Sequence, residues 1–148
     1  SGNSIAMLNL LRLGRITADS ALEEKAAGTG RAFFEIIEPL PPACPQLMAA
    51  VDYASGTSYE LVVVGDSQAD DTRKMLQSIH RKFIPNKVVI FVPAELDSPE
   101  INSIVPFTGQ TTSIDGKATA YICVNYICRL PITDIGTMIL EMERASMQ

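Results

Sequence analysis

The sequence predicts an α/β protein: three N-terminal helices followed by a small domain built on a mixed sheet. Three observations carry this prediction. Apolar residues in positions 1–56 recur at helical spacing with no strand-like run. Two continuous apolar runs, Leu61–Val64 and Val88–Val92, flank an amphipathic stretch of helical period. Near the C-terminus, two further short runs are separated by a turn-sized gap at Asn125-Tyr126.

The first helix is predicted over Ser4–Gly14, where Ile5, Ala6, Met7, Leu8, Leu10, Leu11 and Leu13 cover nearly the whole circumference. A helix apolar on all sides belongs inside a larger body. Each buried Leu is worth about 1.5–3 kcal/mol, so this segment is expected to have partners beyond these 148 residues, and the chain to be the C-terminal piece of a longer protein. A second helix opens at the capping box Ser20 to Glu23 and carries the stripe Leu22, Ala26, Phe33 and Ile37. Gly28 and Gly30 weaken it by about 1 kcal/mol each unless they permit close helix packing. The prolines Pro39, Pro41, Pro42 and Pro45 stop regular structure before a third helix, Gln46–Ala54, closed by Gly56.

From Thr57 the pattern changes. The strand ending at Gly65-Asp66 leads into a helix capped by Asp70 or Asp71 and carrying Met75, Leu76, Ile79 and Phe83 inward. Pro85-Asn86 turns the chain into the second strand, giving a right-handed parallel crossover whose two strands are both expected to be central. Residues 94–112 read as irregular, with one helical turn after Pro99. Asp115-Gly116 is a turn signal, Ala118–Cys123 and Tyr126–Leu130 read as a hairpin, and Thr133 or Asp134 caps a last helix with Ile135, Met138, Ile139 and Met142 inward. The predicted division is 1–56 helical and 57–148 α/β.

Composition narrows function by exclusion. A net charge of −5 and few clustered basic residues argue against a phosphate-tracking surface, so nucleic acid is not an expected partner. No apolar run reaches the roughly 18 residues of a membrane-spanning helix, so no membrane is expected either. Three cysteines make no disulfide framework and leave an odd thiol, which points to a reducing, cytoplasmic setting.

Several strings resemble, in order, the end of a family of thioredoxin-domain-containing, spermatogenesis-associated proteins with a six-hairpin-glycosidase-like toroid. They are Ser1-Gly2-Asn3-Ser4, Pro45-Gln46-Leu47, Glu60–Gly65, Pro85–Val89, and Gly116–Cys123 with Asn125, Cys128, Pro131, Thr133 and Asp134. The resemblance implies a parent with an N-terminal thioredoxin-like domain, a central α/α toroid like that of sugar-processing enzymes, and a C-terminal α/β segment. Residues 1–56 would be the last part of the toroid. The thioredoxin-like part lies outside these residues, so its redox chemistry does not carry over.

Two candidate sites follow. Asn3 and Ser4 begin a helix that would face a toroid cleft and could bind a carbohydrate-like ligand, although simple capping by Ser4 is the expected role, since Ser or Asn at a helix start is commonest as a cap. Cys123 and Cys128 would stand directly opposite across the Asn125-Tyr126 turn, about 4.5 Å apart at Cα, as a redox pair or as buried thiols. The buried, reduced state is the expectation, because no Lys or His lies near in sequence to lower a thiol pKa and the last helix is expected to cover that side. Zinc would require Cys44 and His80 from remote segments, and only one close ligand pair is present; His80 lies on a polar helix face, and no metal or cofactor is expected. One glycine at Gly65 is too few for a dinucleotide fingerprint, and Asp66, Asp70 and Asp71 lack the rest of a calcium loop. The reading is a non-catalytic module bracing the toroid of its parent, with the remainder of the parent chain or a second copy against its apolar face. The alternative is a small redox or ligand-binding module using Cys123 and Cys128.

Overall fold

A computed structural model describes residues 2–94 and 99–146. They divide into two compact units, Ser1–Thr57 and Ser58–Gln148.

The first unit is helical: α1 (Gly2–Thr17), α2 (Ser20–Ala32), the single turn α3 (Phe34–Ile37), and α4 (Pro45–Ser55) after a short 3₁₀ turn at Pro41–Ala43. Both α2 and α4 pack on α1 and touch each other little. Met7, Leu11, Ala26, Leu47, Ala50 and Tyr53 form the core, with Leu8, Phe33 and Val51 packed at its edge. Gly30 earns its place: a Cβ there would stand 3.2 Å from Met7 Cε, so the glycine lets α2 approach α1. The N-cap of α2 is Asp19, whose carboxylate accepts the Ala21 N–H at 2.9 Å. Ser20 is therefore the first helical residue rather than the cap. Glu23 does not reach back to close a capping box but pairs with Arg15 at 3.1 Å. The side chain of Ile37 and all of Ser1 lie outside the described residues.

The second unit is a four-stranded mixed sheet in the order β2-β1-β3-β4. Its strands are β1 (Tyr59–Gly65), β2 (Lys87–Pro93), β3 (Thr119–Val124) and β4 (Ile127–Cys128), with helices α5 (Asp70–Arg81), α6 (Pro99–Ile104) and α7 (Ile135–Ser146). β1 runs parallel to β2 and antiparallel to β3. Every residue of β1 is buried, Glu60 along with the apolar run Leu61–Val64, whereas β2 is only half buried. Only β1 of the crossover pair is thus central. β2 forms an edge because the C-terminal hairpin inserts on the other side of β1.

One sheet face carries Leu61, Val63, Ala120 and Ile122, covered by Met75 and Ile79 of α5 and by Met138 and Met142 of α7. Gly65 makes the β1-to-α5 turn tight, since a Cβ there would collide with Thr72 Oγ1. Asp70 and Asp71 lie within the first turn of α5 instead of capping it. Phe83, expected inward, is 92% exposed because the helix ends at Arg81 and the chain turns away. Asp134 caps α7, its carboxylate accepting the Thr137 N–H at 2.7 Å. Tyr59 Oη donates to the Ala145 carbonyl, tying the far end of α7 to the start of β1.

Candidate functional site

The C-terminal hairpin brings together the residues with most chemistry. Asn125 (φ 51°) and Tyr126 (φ 65°) are both left-handed, as a two-residue turn matching strand twist requires. That turn sets the register Val124 to Ile127 and Cys123 to Cys128. The two cysteines are bridged, with Cα atoms 3.8 Å apart. This corrects the expectation of reduced thiols. The expected cover is corrected too: α7 lies on the Ala120 and Ile122 face, while Cys123 points to the opposite face with Thr119 and Tyr121.

That second face is closed by the segment between β2 and β3. Tyr121 Oη donates to the Thr112 carbonyl at 2.8 Å while accepting the Thr112 N–H at 3.1 Å, and Val105 and Thr108 of the same segment are buried. Tyr126 meets Phe107 with ring centroids 5.4 Å apart. Cys123 is 0% exposed, whereas Cys128 on the edge strand is part-exposed, next to Ile127, which is 77% exposed.

Glu60 joins this site from β1. It stands directly opposite Cys123 in the antiparallel register and is 0% exposed. Its Oε2 accepts the Tyr126 N–H at 3.0 Å, reaching the tip of the hairpin from below. Sequence reasoning passed over this residue. The signal was a lone acidic residue inside an otherwise apolar strand, a costly placement unless the carboxylate is hydrogen-bonded.

The remaining candidates are dispersed. Asp66 accepts the Gln68 N–H at 2.7 Å, and Asp70 pairs with Arg73. Asp71 accepts the Thr72 N–H at 2.9 Å through one oxygen and the Ala118 N–H at 2.9 Å through the other. The Ala118 N–H, with help from Thr72, holds the Asp71 carboxyl below the ordinary aspartate value against the opposing effect of burial. These aspartates are occupied in fastening α5, and among the described residues no group of three or more His, Cys, Asp or Glu side chains converges as a metal site would need. His80 is exposed on α5, its Nδ1 2.7 Å from the Leu76 carbonyl. Beyond the carboxyl ends of β1 and β2 lies a cleft of about 410 Å³ lined by Val64, Val92, Asn102, Thr108 and Thr112.

In the helical unit, Asn3 is exposed and Ser4 is buried within the first turn of α1, so the structure does not place the two side chains together. Ser4 instead lines a pocket of about 420 Å³ with Phe33, Cys44 and Leu47. The larger feature is an open groove of about 800 Å³ between α2 and α4, floored by Met7 and walled by Ala27, Phe34, Met48, Val51 and Ala54. Ile5 and Leu13 of α1 are also exposed, at 55% and 49%.

No protein-family model matches the chain, and no solved structure matches it. It is 35% identical over 134 residues to spermatogenesis-associated protein 20 of Homo sapiens, a match covering 90% of this chain and 17% of that protein. The Mus musculus protein of the same name is 34% identical over 134 residues, with the same shares covered. An uncharacterized protein of Caenorhabditis elegans is 27% identical over 135 residues, 91% of this chain and 18% of that protein. The chain therefore spans about one sixth of the length of these relatives.

Proposed function

We propose that this chain, a C-terminal segment homologous to spermatogenesis-associated protein 20, is a non-catalytic module that completes and braces the helical body of a longer parent protein. The observation that carries the reading is the groove between α2 and α4. Its lining is mostly apolar, with Arg31 and Glu38 as the charged members, and it lies open between two helices that both pack on a third, a place another helix could occupy. Exposed apolar surface of this kind marks an interaction site, and about five-sixths of the homologous protein's length lies outside this segment. The helices of the first unit would then be the last members of an α/α toroid, in a parent carrying a thioredoxin-like domain and acting on carbohydrate. Asn3, exposed on α1, and Ser4, in its pocket with Phe33 and Leu47, would contact a sugar-like ligand only in the assembled parent.

The test compares the parent chain with and without residues 58–148, and with Met48→Glu in the groove. Bracing predicts that both changes lower the melting temperature of the helical body by several degrees and leave any sugar turnover per folded molecule intact. A parent whose stability is indifferent to both changes would contradict it.

A further inference from the structure

We infer that the Cys123–Cys128 hairpin is a reversible thiol–disulfide exchange site, attacked at Cys128 and held ready for re-oxidation by the turn that Glu60 fastens. This goes beyond the bracing role and does not depend on it.

The two sulfurs are unequal. Cys123 is 0% exposed, while the part-exposed Cys128 lies on the two-residue edge strand between the exposed Ile127 and Arg129. An incoming thiolate can therefore reach only Cys128 without displacing other parts of the fold. The surrounding structure also fastens the hairpin by means other than the S–S bond. The left-handed pair Asn125 and Tyr126 sets the turn, the Arg129 N–H donates to the Ile122 carbonyl at 3.0 Å, and Glu60 accepts the Tyr126 N–H at 3.0 Å. Tyr126 is braced in addition by Phe107. Once reduced, the thiols remain opposite one another, which is the condition for rapid, reversible closure.

The electrons come from a dithiol. One of its thiolates attacks Cys128 Sγ, forming a mixed disulfide and breaking the Cys123–Cys128 bond, and Cys123 Sγ leaves with the bonding pair and takes a proton from solvent. The second thiolate of the reductant then attacks its own sulfur in the mixed disulfide, releasing Cys128 as a thiolate that is protonated in turn. The dithiol ends as a disulfide, having lost two electrons and two protons, and the hairpin ends as two thiols. Glu60 is a positioning residue in this sequence. Its buried Oε2 accepts the Tyr126 N–H at 3.0 Å and so holds the turn that keeps Cys128 opposite Cys123 once the bond is broken, which biases the couple toward closure.

The experiment uses the chain with Cys44→Ser, so that only the pair remains, equilibrated in graded ratios of reduced to oxidised dithiothreitol. Thiols are trapped by alkylation and counted by mass, with circular dichroism read in parallel. The expected result is one reversible two-electron transition with the fold retained throughout. Glu60→Ala removes the acceptor of the Tyr126 N–H and should shift the equilibrium toward the dithiol about tenfold, close to 30 mV for two electrons, whereas Glu60→Gln, which keeps an acceptor, should shift it far less. In oxidised glutathione, Cys44→Ser with Cys123→Ser should form a mixed disulfide at Cys128 at least about tenfold faster than Cys44→Ser with Cys128→Ser forms one at Cys123. Should either double variant fail to fold, the sulfur carrying glutathione in the partly reduced Cys44→Ser protein decides the same point. Reduction only upon unfolding, or glutathione at Cys123 as often as at Cys128, would overturn the inference.

Discussion

The two units solve the problem of a core in different ways. In the α/β unit, β1 is buried along all seven residues, with α5 and α7 on one face and the segment preceding β3 on the other. Its hydrogen bonds link distant parts of the chain: Tyr59 to Ala145, Asp71 to Ala118, Glu60 to Tyr126. The helical unit has a single layer of contact, α1 against α2 and α4, and leaves the groove on Met7 open. A strand shielded on both faces specifies a self-sufficient domain, while three helices around one small core leave apolar area that a neighbour must remove from water.

The sharpest way to break this comparison is to separate the units. Residues 58–148 alone should unfold in one cooperative transition, and residues 1–57 alone should give a broad, non-cooperative melt by circular dichroism. Equal cooperativity in the two pieces would remove the contrast. Next in size, Ile79→Ala removes a fully buried side chain between α5 and the sheet and should cost about 2–5 kcal/mol in urea unfolding of the α/β unit. Val51→Ala, at the part-buried wall of the groove, should cost less than about 1 kcal/mol in this chain and more in the assembled parent.

The smallest effect concerns pH. The folded Asp71 carboxyl lies below its ordinary value of 3.8, so its contribution to stability is fully present above that value. It is lost as pH falls from there through the lower folded value. Wild-type stability should therefore drop more steeply below about pH 4 than that of Asp71→Asn, which keeps an acceptor for the Ala118 N–H but does not titrate. Parallel acid profiles would mean that the link from α5 to β3 carries no charge-dependent stability.

Much of the architecture was legible because it follows from local pattern. The apolar run Leu61–Val64 read as a buried strand, and the two-residue gap at Asn125-Tyr126 read as a turn, which set Cys123 opposite Cys128. What failed was decided by tertiary context. Alternation separates Ala120 and Ile122 from Tyr121 and Cys123, yet it does not say which face α7 will cover. β2 became an edge through the insertion of a hairpin encoded about thirty residues later, which no local window contains. The cap of α2 was displaced by one residue because Asp19 and Ser20 are both good caps and only the backbone geometry distinguishes them. At the cysteines, spacing foretold the pairing but not the bond, because oxidation depends on tertiary surroundings, and the hairpin is held by Glu60 and Phe107 from distant parts of the chain.

The account rests most heavily on the groove between α2 and α4 being occupied in the longer protein, and amide hydrogen exchange measures this directly. In this chain alone, amides of residues 27–34 and 48–55 should exchange readily, by local opening of helices with one face uncovered. In the full parent the same amides should be protected by at least about tenfold more, while those of β1 exchange equally slowly in both. Identical protection along α2 and α4 in the two proteins would contradict the claim that the remainder of the chain completes this unit.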